Sequence, residues 1–233
     1  MPCIQTSTAK IFYKVKPLYL GVKRINKIKA SNNLLLLKRL LDSEGISFGL
    51  IAGTLLGAVR EQDFIEHDED IDLFFLNEGK ECVVNLLPRL LNEGFEVARY
   101  DRRGLLSIIR DGEYIDMYFF SLINENVRSC CGWCIPNIFL TDTTNIQFKG
   151  ELFCVPKDYI KYLEYEYGDD WQIPIPWTDF KVPLWKKKIY ELKEKVKYSL
   201  PQFVFDRLSI RAETKMMNKY KEKLSEFFQN NSF

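Results

Sequence analysis

The stretch Glu66-His67-Asp68-Glu69-Asp70-Ile71-Asp72 constrains this chain more than any other. Five carboxylates crowd seven residues and then run straight into Leu73-Phe74-Phe75-Leu76. Crowded like charges are costly unless a cation compensates them, and a solvated acidic tail would not lead into an apolar run. Residues 71–76 read as a buried strand. Side chains alternate along a strand, so Asp68, Asp70 and Asp72 would share one face and Ile71, Leu73 and Phe75 the other. Successive same-face carboxylates would start ~6.5–7 Å apart at the backbone, which lets them converge on one hard cation or a close pair. Oxygen ligands select Mg²⁺, Mn²⁺ or Ca²⁺ over zinc. A calcium loop of the EF-hand type is excluded. With Asp68 as its first position, Leu73 stands where glycine is required and Gly79 where the bidentate glutamate belongs.

A further acid lies in Tyr114-Ile-Asp-Met-Tyr-Phe-Phe120. Asp116 is a lone carboxylate in an apolar strand, and a buried unpaired carboxylate is expensive. A metal shared with the first cluster would remove that cost; the plainer alternative is a strand-edge Asp bonded to a turn. Upstream, Gly53-Thr54 follows a strand-like run and opens a short apolar segment ending at Arg60. Thr54 can cap a helix there, and the free amides of such a terminus bind anions, phosphate included. Arg60 can reach a phosphate oxygen or pair with a neighbouring acid.

Apolar periodicity places a helix through Leu34, Leu37, Leu40 and Leu41, capped by Ser31 or Asn32 and ending before Gly45. Residues 46–51 and 95–100 read as strands and 78–92 as a helix stopped near Gly94. Asp111-Gly112 between two apolar runs signals a hairpin, because both residues tolerate the positive φ of tight hairpin turns. Pro156 is expected to open a helix that Gly168 closes, and 185–230 to be helical with a break near Pro201. The sum is an α+β domain, a mixed, mostly antiparallel sheet flanked by helices. Residues 1–30 form a basic N-terminal segment, 31–180 the domain, and 181–233 a basic helical extension.

An apolar fraction of 46% with 17 Phe, 12 Tyr and 4 Trp supports a sizeable core, and a formal net charge of +1 gives no nucleic-acid signature. Charge is uneven, however. Residues 1–30 carry Lys10, Lys14, Lys16, Lys23, Arg24, Lys27 and Lys29 and no acid, and 181–223 hold 13 Lys/Arg against 5 Asp/Glu. These ends can make peripheral contact with an anionic membrane surface or a charged glycan, or be solvated helix faces. Lysines interrupt every apolar stretch near the N-terminus, and no run approaches the ~20 apolar residues of a membrane span. A cytoplasmic protein, at most resting on the inner face of the membrane, is the expectation. Cys131-Gly-Trp-Cys134 has the gap of a zinc knuckle, with Cys130 and Cys154 as further ligands. With one such pair and no nearby histidine, reduced thiols are expected ahead of a structural zinc site.

The residues also resemble a known family. Gly53-Thr-Leu-Leu-Gly-Ala-Val-Arg60, Phe64-Ile65 and Asp68-x-Asp-Ile-Asp72 are similar to the LicD family, which includes fukutin and fukutin-related protein. The match continues through Tyr114-Ile-Asp-Met-Tyr118, Phe153-x-Val-Pro156, Tyr162-Leu163, Tyr167-Gly-Asp-Asp-Trp171 and Pro174. The resemblance implies a nucleotidyltransferase fold like that of polymerase β. It also implies transfer of phosphocholine, ribitol phosphate or a similar group from a CDP-linked donor to a glycan or glycolipid acceptor, as in lipopolysaccharide or capsule modification. Asp68, Asp70, Asp72 and Asp116 would then bind Mg²⁺ or Mn²⁺, and Gly53 and Thr54, with Arg60, the donor phosphate. His67, the sole histidine, and Trp171 would line the substrate site. Glu66-His67 stands where bacterial members carry Pro-Trp, and Glu61-Gln62-Asp63 where many carry His-Lys-Gly; these departures bear on substrate choice. Rival readings are a metal-dependent glycosyltransferase, nucleotidyl transfer to RNA or a small molecule, and a silent adaptor.

Overall fold

A computed structural model of the protein describes residues 2–16, 24–175 and 183–230. Lys23 and the expected boundary at 180/181 lie outside the described residues. Eleven strands are described: β1 (Cys3–Gln5), β2 (Lys10–Phe12), β3 (Gly49–Leu50), β4 (Asp70–Leu76), β5 (Glu96–Asp101), β6 (Leu105–Arg110), β7 (Glu113–Asn124), β8 (Val127–Cys130), β9 (Trp133–Pro136), β10 (Thr143–Phe148) and β11 (Glu151–Pro156). The α-helices are α1 (Lys27–Ser43), α2 (Ala52–Arg60), α3 (Lys80–Asn92), α4 (Ile138–Thr141), α5 (Tyr159–Tyr167), α6 (Leu184–Ser199) and α7 (Gln202–Asn230).

The main sheet runs in the order β10-β11-β3-β4-β7-β6-β5, with β8 paired to β7 and β9 to β8. Only β11/β3 and β4/β7 are parallel; the remaining pairs are antiparallel. The mixed, mostly antiparallel α+β architecture is therefore the one expected. Its centre is the parallel pair β4/β7, joined by a long crossover through α3, β5 and β6. In that pair Asp72 stands opposite Asp116, so residues 44 positions apart become neighbours about 4.7–4.9 Å apart across the ladder.

The core forms where the alternation places it. Ile71, Leu73 and Phe75 of β4 and Ile115, Met117 and Phe119 of β7 are buried on the face opposite the acids. Phe75 meets Phe119 at 5.0 Å and Phe48 at 5.8 Å between ring centroids. Helix α1 buries Ala30, Leu34, Leu37 and Leu41 completely, at helical spacing; each such leucine contributes about 1.5–3 kcal/mol. Helix α7 is held to the domain by Phe227, which packs on Phe139 and Tyr165, and by the Arg103–Glu213 ion pair.

Several boundaries differ from expectation. Helix α1 begins at Lys27, capped by Asn26, whose side chain accepts from the Lys29 amide; Ser31 instead bonds back to the Lys27 carbonyl inside the helix. Pro156 ends β11, and Asp158 caps α5. Strand β3 spans only Gly49–Leu50, because Ala52, at φ 47°, already turns the chain into α2. Residues 2–16, read only as a basic segment, contain the hairpin β1/β2, whose Ile4 and Ile11 enter the core. None of the described helices is long and apolar enough to cross a membrane.

Candidate active site

Four elements meet at the head of β4. Asp70 and Asp72 project from β4 and Asp116 and Tyr118 from β7 on the same face, as strand alternation requires. Asp68 does not lie on the strand as expected. It sits in a turn closed by its own amide on the Ile65 carbonyl, and its side chain reaches the site over α2. A Cβ added to Gly53 would fall 2.4 Å from Asp68 Oδ2. Glycine at 53 thus leaves the space in which that carboxylate stands.

The first turn of α2 is locked to this face. Its amides do not all point outward. Gly53 donates to Asp72 Oδ2 at 3.1 Å, and Ala52 donates to the hydroxyl of buried Tyr162. Thr54 is buried and makes no helix cap. Its Oγ1 accepts the Asp72 amide at 2.8 Å, tying α2 to β4 beside the acid. Arg60, the candidate for a donor phosphate or a neighbouring acid, reaches the closing motif and Glu61. Nη1 donates to the Trp171 carbonyl at 3.2 Å and Nη2 to Glu61, while its buried Nε has no partner among the described residues. Trp171, a candidate to line the substrate site, is buried and packs in the core. His67 is half-buried in the turn before Asp68.

Three residues not foreseen as site residues complete the arrangement. Arg99 of β5 and Ser107 of β6 continue the row Asp72–Asp116 across the sheet by register. Arg99 donates from Nε to Ser107 Oγ and from Nη2 to Asp116 Oδ2. The Tyr118 hydroxyl stands between the acids, 3.2 Å from Asp72 Oδ1 and 3.3 Å from Asp116 Oδ2. Tyr118 already stood in a quoted motif. Arg99 had one sequence signal, a cation inside an apolar strand.

The charges are poorly compensated. Burial raises the pKa values of Asp68, Asp70 and Asp72, and their neighbours add to it: Asp70 acts on Asp68, Asp72 and Asp116 on Asp70, and Asp68 and Asp116 on Asp72. Burial, then Asp72 and Asp116, also pushes the Tyr118 phenol up, so it remains a proton donor. Among the described residues, Asp68 Oδ2 and Asp116 Oδ1 are buried without a hydrogen-bond partner. No three His, Cys, Asp or Glu side chains are gathered at metal-ligand spacing among the described residues, so no ligand cage is preformed. Two orphaned carboxylate oxygens in a repelling acid set nevertheless fit a hard divalent cation in charge and donor type. The cysteines contrast with this. Cys130 donates to the Gly104 carbonyl, Cys134 faces Gly132, and Cys154 lies apart on β11; all are free thiols.

A mixed sheet with acids on adjacent parallel strands, beside a helix whose second residue is Gly53, fits a nucleotidyltransferase domain. A model of the LicD/FKTN/FKRP nucleotidyltransferase domain matches residues 45–177, and the chain belongs to this family. It is 27% identical over 169 residues to human ribitol-5-phosphate transferase FKTN, a match covering 66% of this chain and 35% of that protein. It is 29% identical over 100 residues to an uncharacterised protein of Rickettsia typhi, covering 42% of this chain and 31% of that one. The chain thus spans about a third of the length of the curated relatives it matches. Among solved structures, similarity extends to the lincosamide antibiotic adenylyltransferase LnuA, with TM-score 0.44, 14% identity, and coverage of 59% of this chain and 87% of that one. It extends also to the antibiotic-resistance factor ANT(2'')-Ia, with TM-score 0.47, 12% identity, and coverage of 88% and 97%.

Proposed function

We propose that this protein transfers a phosphate-linked group, phosphocholine or a related unit, from a CDP-activated donor to a hydroxyl of a glycan or its lipid-linked precursor. The observation that carries this reading is the pair of buried oxygens without a hydrogen-bond partner among the described residues, Asp68 Oδ2 and Asp116 Oδ1, on a site with excess negative charge. A divalent cation would be held by Asp68, Asp70, Asp72 and Asp116. When bound, Mg²⁺ or Mn²⁺ neutralises the donor pyrophosphate and polarises the phosphorus under attack.

The chain's own residues do the positioning. Arg99 and Tyr118 fix Asp116 from its Oδ2 side, which leaves Oδ1, without a hydrogen-bond partner among the described residues, for the cation. Thr54 and the Gly53 amide fix Asp72. The donor phosphates lie beside the first turn of α2; because the Gly53 amide is given to Asp72 Oδ2 and the Asp68 carboxylate stands over Gly53, the cation held by the acids would supply the positive charge that binds them. Arg60 holds the closing motif in place and completes that wall. The acceptor oxygen forms its bond to the distal phosphorus, the bond from that phosphorus to the bridging oxygen breaks, and CMP departs with the electron pair. The hydroxyl proton leaves to a carboxylate of the set or to water.

The test is turnover of CDP-linked donors with Mg²⁺, scored by the nucleotide released. CMP supports the reading; a nucleoside diphosphate from a sugar nucleotide would replace it with glycosyl transfer. Asp70→Ala and Asp116→Asn in folded protein should lower turnover by roughly a thousandfold or more, about 4 kcal/mol. Near-wild-type turnover in either variant overturns the mechanism.

A further inference from the structure

Helix α6 carries its apolar side outward. Trp185, Ile189, Leu192 and Val196 follow each other at spacings of four, three and four, one stripe on a helix of 3.6 residues per turn. They are 61%, 45%, 63% and 52% exposed. The polar side faces the domain: Lys187, Tyr190 and Glu191 are half-buried, and Glu191 lines a cleft with Lys16, Glu96 and Arg110. At 100° per residue the four apolar positions fall within one narrow arc. Lys188 and Lys195 flank it on one side, and Lys186, Lys193 and Lys197 on the other. The helix holds six lysines against two glutamates.

We infer that α6 is an interfacial anchor that lies in the plane of an anionic membrane surface. Charge complementarity selects this occupant. A second copy of the chain would bring the same lysines against themselves, whereas anionic headgroups meet lysines on both flanks while Trp185, Ile189, Leu192 and Val196 enter the acyl boundary. An apolar stripe with Trp and Leu, bordered by lysines whose stems can extend to the headgroups, is the signature of helices that lie on membranes rather than cross them. This surface does not depend on the reaction assigned to the acids, and α6 contributes no residue to that site.

The full chain is floated with vesicles of phosphatidylcholine alone and of phosphatidylcholine mixed with phosphatidylglycerol. Binding is expected on the mixed vesicles and to weaken with salt. Leu192→Ser should lower it roughly tenfold, and Lys186→Gln and Lys188→Gln roughly fivefold each. All three positions are exposed, so the variants should fold. A readout independent of any folding defect uses the wild type: Trp185 emission should shift to shorter wavelength on mixed vesicles, and Trp185→Phe should remove the shift. Failure of the wild type to bind mixed vesicles overturns the inference, as does binding with unchanged Trp185 emission. So does sedimentation as a dimer that Leu192→Ser dissolves, since a second copy would then cover the stripe.

Discussion

Asp70 and Asp63 sit seven residues apart and respond to pH in opposite directions. At Asp70 burial and the charges of Asp72 and Asp116 raise the pKa, so the folded chain keeps a proton that the unfolded chain releases near the ordinary value of 3.8. Without divalent cations, stability should therefore fall as pH rises above that value. Asp70→Asn removes the repulsion; it should raise the melting temperature in metal-free buffer at pH 7 by a few degrees, about 1 kcal/mol, even as turnover is lost. Thermal unfolding of both proteins across pH 4–8 reads this directly, and a variant that melts lower than wild type would refute it. At Asp63 partial burial opposes ionisation, but hydrogen bonds from Lys149 and Lys27 prevail and hold the pKa at about 2. Its stabilisation is present above the ordinary carboxylate value and is lost as pH falls from there toward 2. Lys149→Ala should lower the melting temperature at pH 6, and the difference from wild type should shrink as pH falls toward 2.

At the scale of elements, the seam between α2 and β4 is the most exposed to a single substitution. Thr54→Val keeps shape and burial but strands the Asp72 amide, which now bonds Thr54 Oγ1. A buried unpaired amide costs about 1–3 kcal/mol, so urea unfolding should show a loss of that size with an unchanged m-value. The role of Thr54 illustrates what a sequence tells and withholds. Gly-Thr at a helix start suggests a cap, yet the side chain serves a strand 18 residues on, a partner no local pattern names. The hairpins divide the same way. Asp111-Gly112 was readable because Asp tolerates φ 53° and Gly φ 84°. Cys131-Gly132 and Lys149-Gly150 adopt the same positive-φ pair, with first residues that carry no turn signal, so β8–β9 and β10–β11 were not legible. The acids themselves were legible, since five charges before an apolar run admit few explanations. Their cross-sheet company, Arg99 and Ser107, depends on register, which the sequence alone leaves open.

For the whole molecule, a cation held by the acid set as proposed would couple ligand binding to folding. A divalent cation that binds only the native state adds RT ln(1 + [L]/Kd), about 2.7 kcal/mol at a hundred times Kd. Titration with Mg²⁺ or Mn²⁺ should thus raise the wild-type melting temperature progressively, and leave Asp70→Asn much less affected. An equal response in both proteins would place the cation elsewhere. The parallel pairing of β4 and β7 has a further consequence, one of timing. Asp72 and Asp116 become neighbours only after residues 77–112, with α3, β5 and β6, have been threaded between them. Such distant pairings form late, because the chain must close a long loop before the contact repays it. A chain still being synthesised therefore carries its first acids without their counterpart, and the proposed reactive centre is assembled only as the domain finishes folding.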